Sequence, residues 1–381
     1  MKIHFNQNAK NYFESRRSAD NVLAFHRRLP DYKTSPLLVL PHLASRFGVG
    51  EISLKAETNR FGLPAFKILG ASWAVWQVLR EKFALRETWQ TIYELKELVK
   101  PHLPLKFVSA TDGNHGRGVA RMANWLGIDC RIFLPAGTAQ NRIAAITAEG
   151  AEATTIDGSY DDAVTAAEGC QNDRALLIQD TSRPGNETVN HWIIEGYSTI
   201  FRELEEAGGK PPDVVFAQIG VGSLAAAVVD YNKAKPESSV KIIGVEPLSA
   251  ACALQAVEKG EIIHLPGRQE SAMSGLNCGT VSSAAWETLY QGVDCFLAVE
   301  DEWSGAAMRE LATSGISTTE SGAAGLAGLM ALNAEAQREE FRQRLGLNNH
   351  SRILLLITEG ITTIPACRRE EEIADEPNYN F

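Results

Sequence analysis

Lys106-Phe-Val-Ser109-Ala-Thr-Asp112-Gly-Asn114-His-Gly116 begins as a β-rich run and ends in a turn with glycines at 113 and 116. The reading predicts a strand over 106–109, a glycine-rich turn, and a helix over 118–126. Working outward, residues 130–134 predict the next strand, closed by Pro135, and 141–149 a helix that stops at Gly150. Residues 153–156 predict another strand and 160–168 another helix. Strand and helix alternate as in βαβ units, which places the chain in the α/β class with a largely parallel sheet. The rhythm resumes with a strand over 213–217, a second glycine turn, a helix from Leu224 and a strand over 241–246. Residues 353–357 read Ile-Leu-Leu-Leu-Ile, the continuous apolar run of a strand buried on both faces. Residues 203–212 are polar and rich in glycine and proline, as in a linker or an exposed loop, whereas the first 30 residues and the tail from Arg368 fit no clear element.

With 381 residues the chain is long enough for two domains. Its formal net charge of -10 argues against a nucleic-acid partner, which needs a basic face, but leaves room for a locally positive pocket. None of the six cysteines forms a CxxC pair and no Cys/His cluster has zinc spacing, so no metal site is expected and the thiols read as reduced. The N-terminus, Met-Lys-Ile-His-Phe-Asn-Gln-Asn, is too polar for a signal peptide, and no run is long enough to span a membrane. A cytoplasmic location follows.

Three features carry chemistry. The first is the turn from Ser109 to Gly116, and the second is Gly220-Val221-Gly222-Ser223. Each follows a strand and opens a helix, so backbone N–H groups and the helix dipole converge on one point and can hold phosphate or carboxylate. Either can equally be a plain tight connection, and neither matches GxGxxG or the Walker pattern. The third is Lys67, set among apolar neighbours in Arg60-Phe-Gly-Leu-Pro-Ala-Phe66-Lys67-Ile-Leu-Gly70. A lysine there either snorkels to the surface or, if desolvated, has a lowered pKa and can form a Schiff base with a carbonyl.

Phe66-Lys67 before a helix, the loop centred on Asn114 and the later glycine turn resemble the fold type II pyridoxal phosphate enzymes. Four stretches are similar to diaminopropionate ammonia-lyases in particular: residues 60–70, Ala110-Thr-Asp-Gly-Asn-His-Gly-Arg-Gly-Val, Ala272-Met-Ser-Gly-Leu-Asn-Cys-Gly and Glu320-Ser-Gly-Ala-Ala-Gly-Leu. The stretch from Asn141 to Asp162 fits as well. The resemblance runs in order from about residue 40 to residue 360.

The resemblance implies two three-layer αβα domains with largely parallel twisted sheets. Residues 90–190 would form the smaller, with the Asn loop, and residues 1–89 and 191–381 the larger, with Lys67 and the glycine loop. It implies pyridoxal 5'-phosphate as cofactor, a small amino acid as substrate and a homodimer. Lys67 would carry the cofactor, with Phe66 beside it. Asn114 would hydrogen-bond its 3′-oxygen, and Gly220, Val221, Gly222 and Ser223 would cradle its phosphate. Thr358 would face the ring nitrogen, while Ser109, Ala110, Thr111, Asp112 and His115 would surround the substrate. Lys67 would take the Cα proton from L-substrate and Asp112 from the D-isomer, with Asp180 helping at the amino groups. From the residues alone, Asp112 is as readily a turn aspartate capping the next helix. The implied reaction is α,β-elimination of 2,3-diaminopropionate to pyruvate and ammonia.

The match has gaps. After Gln179-Asp180-Thr181 the family usually continues Trp-Glu-Gly-Tyr, whereas this chain reads Ser182-Arg-Pro-Gly185. Arg183, if it points inward, would favour a substrate with an extra carboxylate. Ile357 stands where the family often has serine, Thr358-Glu-Gly-Ile361 lacks the acidic residues that normally follow, and Asn277 replaces a small residue. Two other readings stay open: elimination or replacement on another β-substituted amino acid, and a non-catalytic metabolite-binding protein on the same fold. A dinucleotide oxidoreductase lacks its fingerprint.

Overall fold

The computed structural model describes residues 1–12, 21–111 and 113–361. Its strands are β1 (Lys2–Phe5), β2 (Leu37–Val39), β3 (Glu51–Ala56), β4 (Lys106–Ala110), β5 (Asp129–Pro135) and β6 (Glu152–Ile156). β7 (Ala175–Leu177), β8 (Val214–Gln218), β9 (Lys241–Pro247), β10 (Cys295–Val299) and β11 (Arg352–Ile357) complete the set. They form a seven-stranded sheet of order β1-β10-β9-β8-β11-β3-β2 and a four-stranded sheet of order β6-β5-β4-β7. The small sheet is wholly parallel. In the large sheet β10, β9, β8, β11 and β3 run parallel, with β1 and β2 added antiparallel at the edges.

Helices cover both faces of each sheet. The layer between the sheets is built on the helices Lys67–Phe83, Asn114–Leu126 and Thr188–Gly196, and one continuous apolar cluster runs through it from Phe107 on one sheet to Val215 on the other. Close approach of the first two helices depends on Gly118, where a Cβ would stand 3.0 Å from the Ile68 Cα. Phe25, Trp73, Trp76 and Trp89 fill the far end of that layer edge to face. Helix Glu320–Ala334 lies on the outer face of the large sheet with twelve residues buried, and helix Tyr160–Gly169 packs Ala163, Val164 and Ala167 over the small one. This is the fold type II arrangement. Burial on both faces is why β8 and β11 are nearly continuous apolar runs.

The predicted strands and helices are present, most ends shifting by a residue. The helix expected from 118 starts at Asn114. Residues 203–212 are neither linker nor wholly loop. Helix Ser198–Glu206 occupies the first part, and Glu203 is buried among charges. Its carboxylate accepts from Lys55 Nζ at 2.7 Å and from Arg60 Nη1 and Nη2 at 2.7 Å each. Arg60 also pairs with Glu57. Two cations and two anions cancel, which is what permits four charges in the core. The cluster holds the segment that leads to Lys67.

Candidate active site

The C-terminal ends of β4, β5, β8 and β11 open on one cavity of about 480 Å³, the place where open parallel sheets hold ligands. Lys67 begins helix Lys67–Phe83 and reaches the cavity from the layer between the sheets. Its Nζ lies 2.6 Å from Asp180 Oδ2. Asp180 is itself fixed: its second oxygen accepts from Tyr160 Oη at 3.3 Å, and its backbone carbonyl accepts from Asn190 Nδ2 at 2.6 Å and Ser223 Oγ at 3.1 Å. Burial pushes its carboxyl up, but the Lys67 ammonium and His115 pull harder and hold it down at about 2, so it is ionised at neutral pH.

The second glycine turn lies opposite. Gly222 has φ +102°, and a Cβ there would stand 2.6 Å from Leu289 Cδ1, so only glycine suits the position. Behind it starts helix Ser223–Asn232, whose first N–H groups have no partner within the helix. A third wall is formed by Asn114, Thr358 and Glu359. Asn114 Nδ2 donates to Glu359, and Thr358 accepts the Phe66 N–H through its backbone carbonyl at 3.3 Å. The Phe66 ring packs on Tyr197, with centroids 4.7 Å apart, and burial pushes the Tyr197 phenol up so that it stays protonated.

Of the residues singled out in the sequence, Phe66, Lys67, Asn114, Asp180, Gly220, Val221, Gly222, Ser223 and Thr358 line this one cavity. Ser109, Ala110, Thr111 and His115 are buried behind its wall. Gln179 ties the strand end in place, accepting from Ala110 N–H at 2.8 Å and donating to its carbonyl at 3.1 Å. His115 Nε2 donates to the Ile178 carbonyl at 2.8 Å and turns Nδ1 toward Asp180, 4.0 Å away. Asp112 lies outside the described residues. Arg183 points away from the cavity, donating to Thr165 Oγ1 at 3.0 Å on the small sheet's outer helix. Ser182 turns to Ser282 and Ser283, at 2.9 and 3.1 Å, behind the glycine loop. The altered stretch 182–185 is therefore absent from the cavity wall.

Sequence reasoning missed Tyr160, Tyr197, Arg142 and Glu359. Arg142 crosses from its helix to Ser274 Oγ, 2.7 Å away on the large-sheet side. Adjacency to Asp180 and Thr358 could have drawn attention to Gln179 and Glu359. Nothing local marks Arg142 or Tyr197.

An amine at the start of one helix, a glycine turn at the start of another and an amide between them suit a ligand with a carbonyl carbon and a phosphate. The observed residues thus fit pyridoxal phosphate: Lys67 for the carbonyl, the glycine turn for the phosphate. The chain belongs to the family of pyridoxal-phosphate dependent enzymes, whose model matches residues 29–359. Pyridoxal phosphate is its cofactor.

Within that class it is 36% identical over 351 residues to diaminopropionate ammonia-lyase of Escherichia coli strain K12, covering 89% of this chain and 87% of that one. The enzyme of that name from Salmonella typhimurium is 36% identical over 361 residues, covering 90% and 89%. The fold matches the E. coli enzyme in complex with an aminoacrylate-PLP azomethine reaction intermediate, with TM-score 0.85, 34% identity and coverage of 94% and 93%. Threonine deaminase isoform 2 of Solanum lycopersicum, at 24% identity and TM-score 0.70, shares the fold.

Proposed function

We propose that this chain converts 2,3-diaminopropionate and water to pyruvate and two molecules of ammonia. The observation that carries the reading is the Lys67–Asp180 pair at 2.6 Å, facing the glycine turn across one cavity, in a chain similar to diaminopropionate ammonia-lyases over nearly its whole length.

When bound, pyridoxal phosphate supplies a carbon on which amines exchange and a ring that takes up the electron pair left at the substrate Cα. Lys67 Nζ would hold that carbon, Gly220, Val221, Gly222 and Ser223 the phosphate, and Asn114 the phenolic oxygen. Thr358 would meet the ring nitrogen with a neutral hydroxyl. Once displaced, the Lys67 amine takes the Cα proton of L-substrate, and Asp112 takes it from the D-isomer. Asp180 has the second part. Its carboxyl is balanced between burial, which raises it, and the Lys67 ammonium, which lowers it. When the Lys67 nitrogen is neutral the larger pull is gone and burial raises the carboxyl. Asp180 can then carry a proton to the departing β-amino group. Stretch 182–185, the main sequence departure from the lyases, stays off the cavity wall and gives no support to a different substrate. The same reading takes residues 90–190 as the smaller domain, with β4 to β7 inside it, and the working form as a cytoplasmic homodimer. Among the described residues no helix is long and apolar enough to cross a membrane.

The test is the visible absorption of purified protein with pyridoxal phosphate, followed by a pyruvate assay on DL-2,3-diaminopropionate. A lysine-bound cofactor band, pyruvate release and loss of both in Lys67→Ala would support the reading. A band without pyruvate would remove the substrate. Absence of the band would remove the cofactor site.

A further inference from the structure

Glu359 follows β11, in the large sheet, and its backbone pairs with Ala65, two residues before Lys67. Its carbonyl accepts from Thr318 Oγ1 at 2.6 Å. Its side chain, 7% exposed, reaches along the cavity wall. One carboxylate oxygen accepts from Asn114 Nδ2, and the other accepts from Thr319 Oγ1. Thr319 is also the cap of helix Glu320–Ala334, accepting from Gly322 N–H at 3.2 Å. Asn114 belongs to the helix that follows β4, in the small sheet. Glu359 therefore joins the two sheets at the cavity, and it links the segment carrying Lys67 to the residue opposite.

An asparagine amide has a donating and an accepting end, and on its own either can face a ligand. A carboxylate only accepts, so the NH2 end of Asn114 must face Glu359. One amide hydrogen is then committed, and the second is left for an acceptor in the cavity. We propose that Glu359 is a positioning residue that fixes the Asn114 amide in the orientation that donates to the cofactor's phenolic oxygen. The inference rests on the reading that this cavity holds pyridoxal phosphate.

The test is a double-mutant cycle on cofactor affinity. Holoenzyme is dialysed against graded pyridoxal phosphate and occupancy is read from the visible band, with no substrate present. Glu359→Ala is expected to weaken binding by about tenfold or more, the range of a charge-assisted hydrogen bond. Glu359→Gln can turn either its oxygen or its NH2 group to Asn114, and the Thr319 hydroxyl, a donor, favours the oxygen on its own side, so this variant no longer fixes the Asn114 amide and should lose affinity in the same direction as alanine, by about twofold or more. In an Asn114→Ala background, Glu359→Ala should change affinity by less than about twofold, because its effect passes through Asn114. Equal losses in both backgrounds, or no loss in either, would overturn the inference and leave Glu359 a packing residue. If the alanine variant does not fold, Glu359→Asp serves: it keeps the charge, draws the oxygens back by one methylene and should show the same dependence on Asn114. A wild-type protein with no band would overturn the cofactor reading and this inference together. A band with additive losses would overturn this inference alone.

Discussion

Acidification should weaken the fold through His26, the residue behind the first turn of the Lys67 helix. Its ring is fully buried, with Nε2 donating to the Leu69 carbonyl at 3.0 Å and Nδ1 facing Thr199 Oγ1 at 2.7 Å. Burial lowers its pKa to about 3, against the upward pull of the Leu69 carbonyl, while the unfolded chain keeps the ordinary value of 6.5. The neutral ring thus contributes stability that is complete above 6.5 and lost as pH falls from there toward 3. Between pH 7 and pH 5 the unfolded ring goes from about one-quarter to almost fully protonated while the folded ring gains almost nothing, which amounts to about 2 kcal/mol. The size is insensitive to the folded value as long as that value lies well below the pH. Glu246, pushed up to about 8 by burial, titrates in the opposite sense over the same range, so wild type alone is not the readout. The comparison is urea unfolding of wild type and His26→Gln at both pH values, glutamine being able to donate to Leu69 and accept from Thr199. Wild type should lose about 2 kcal/mol more than the variant on acidification. Parallel losses would refute the argument.

Three further outcomes are expected. Asp112→Asn should reduce turnover of D-2,3-diaminopropionate by about 10²–10⁴, the usual worth of a positioned base, and affect the L-isomer much less; equal loss on both would count against separate bases. Gly222→Ala forces a side chain into φ +102° and to 2.6 Å from Leu289 Cδ1. Strain of about 1–2 kcal/mol in the loop should loosen pyridoxal phosphate by roughly tenfold in equilibrium dialysis, and unchanged affinity would show that the phosphate sits elsewhere. Arg183→Ala should leave kcat/KM within about twofold, because its guanidinium binds Thr165 on the outer face, and a tenfold fall would bring that side chain into the site.

Much of the architecture is legible in local pattern. The strand read over 153–156 is Glu152–Ile156, and that over 353–357 is Arg352–Ile357, because alternating βαβ units carry their own period and their own turns. β1 escaped, since Lys-Ile-His-Phe becomes a strand only by pairing Lys2 with Ala298. Glu203 escaped for a related reason. In sequence it is one more polar residue near Gly208 and Pro211, and it is buried because Lys55 and Arg60, more than 140 positions away, bring it compensating charge.

The same division runs through the site. By itself the sequence determined the family and singled out Lys67 and both glycine turns as candidates, because each is a short motif whose chemistry depends on neighbours in the chain. Arg183 could be placed only by the fold, which turns it outward to Thr165. The pairing of Lys67 with Asp180 and the bridge from Glu359 to Asn114 likewise belong to the tertiary structure. The cavity is walled by the ends of strands from two sheets, and which side chains meet there is decided by how the sheets pack, a long-range fact that no local spacing records.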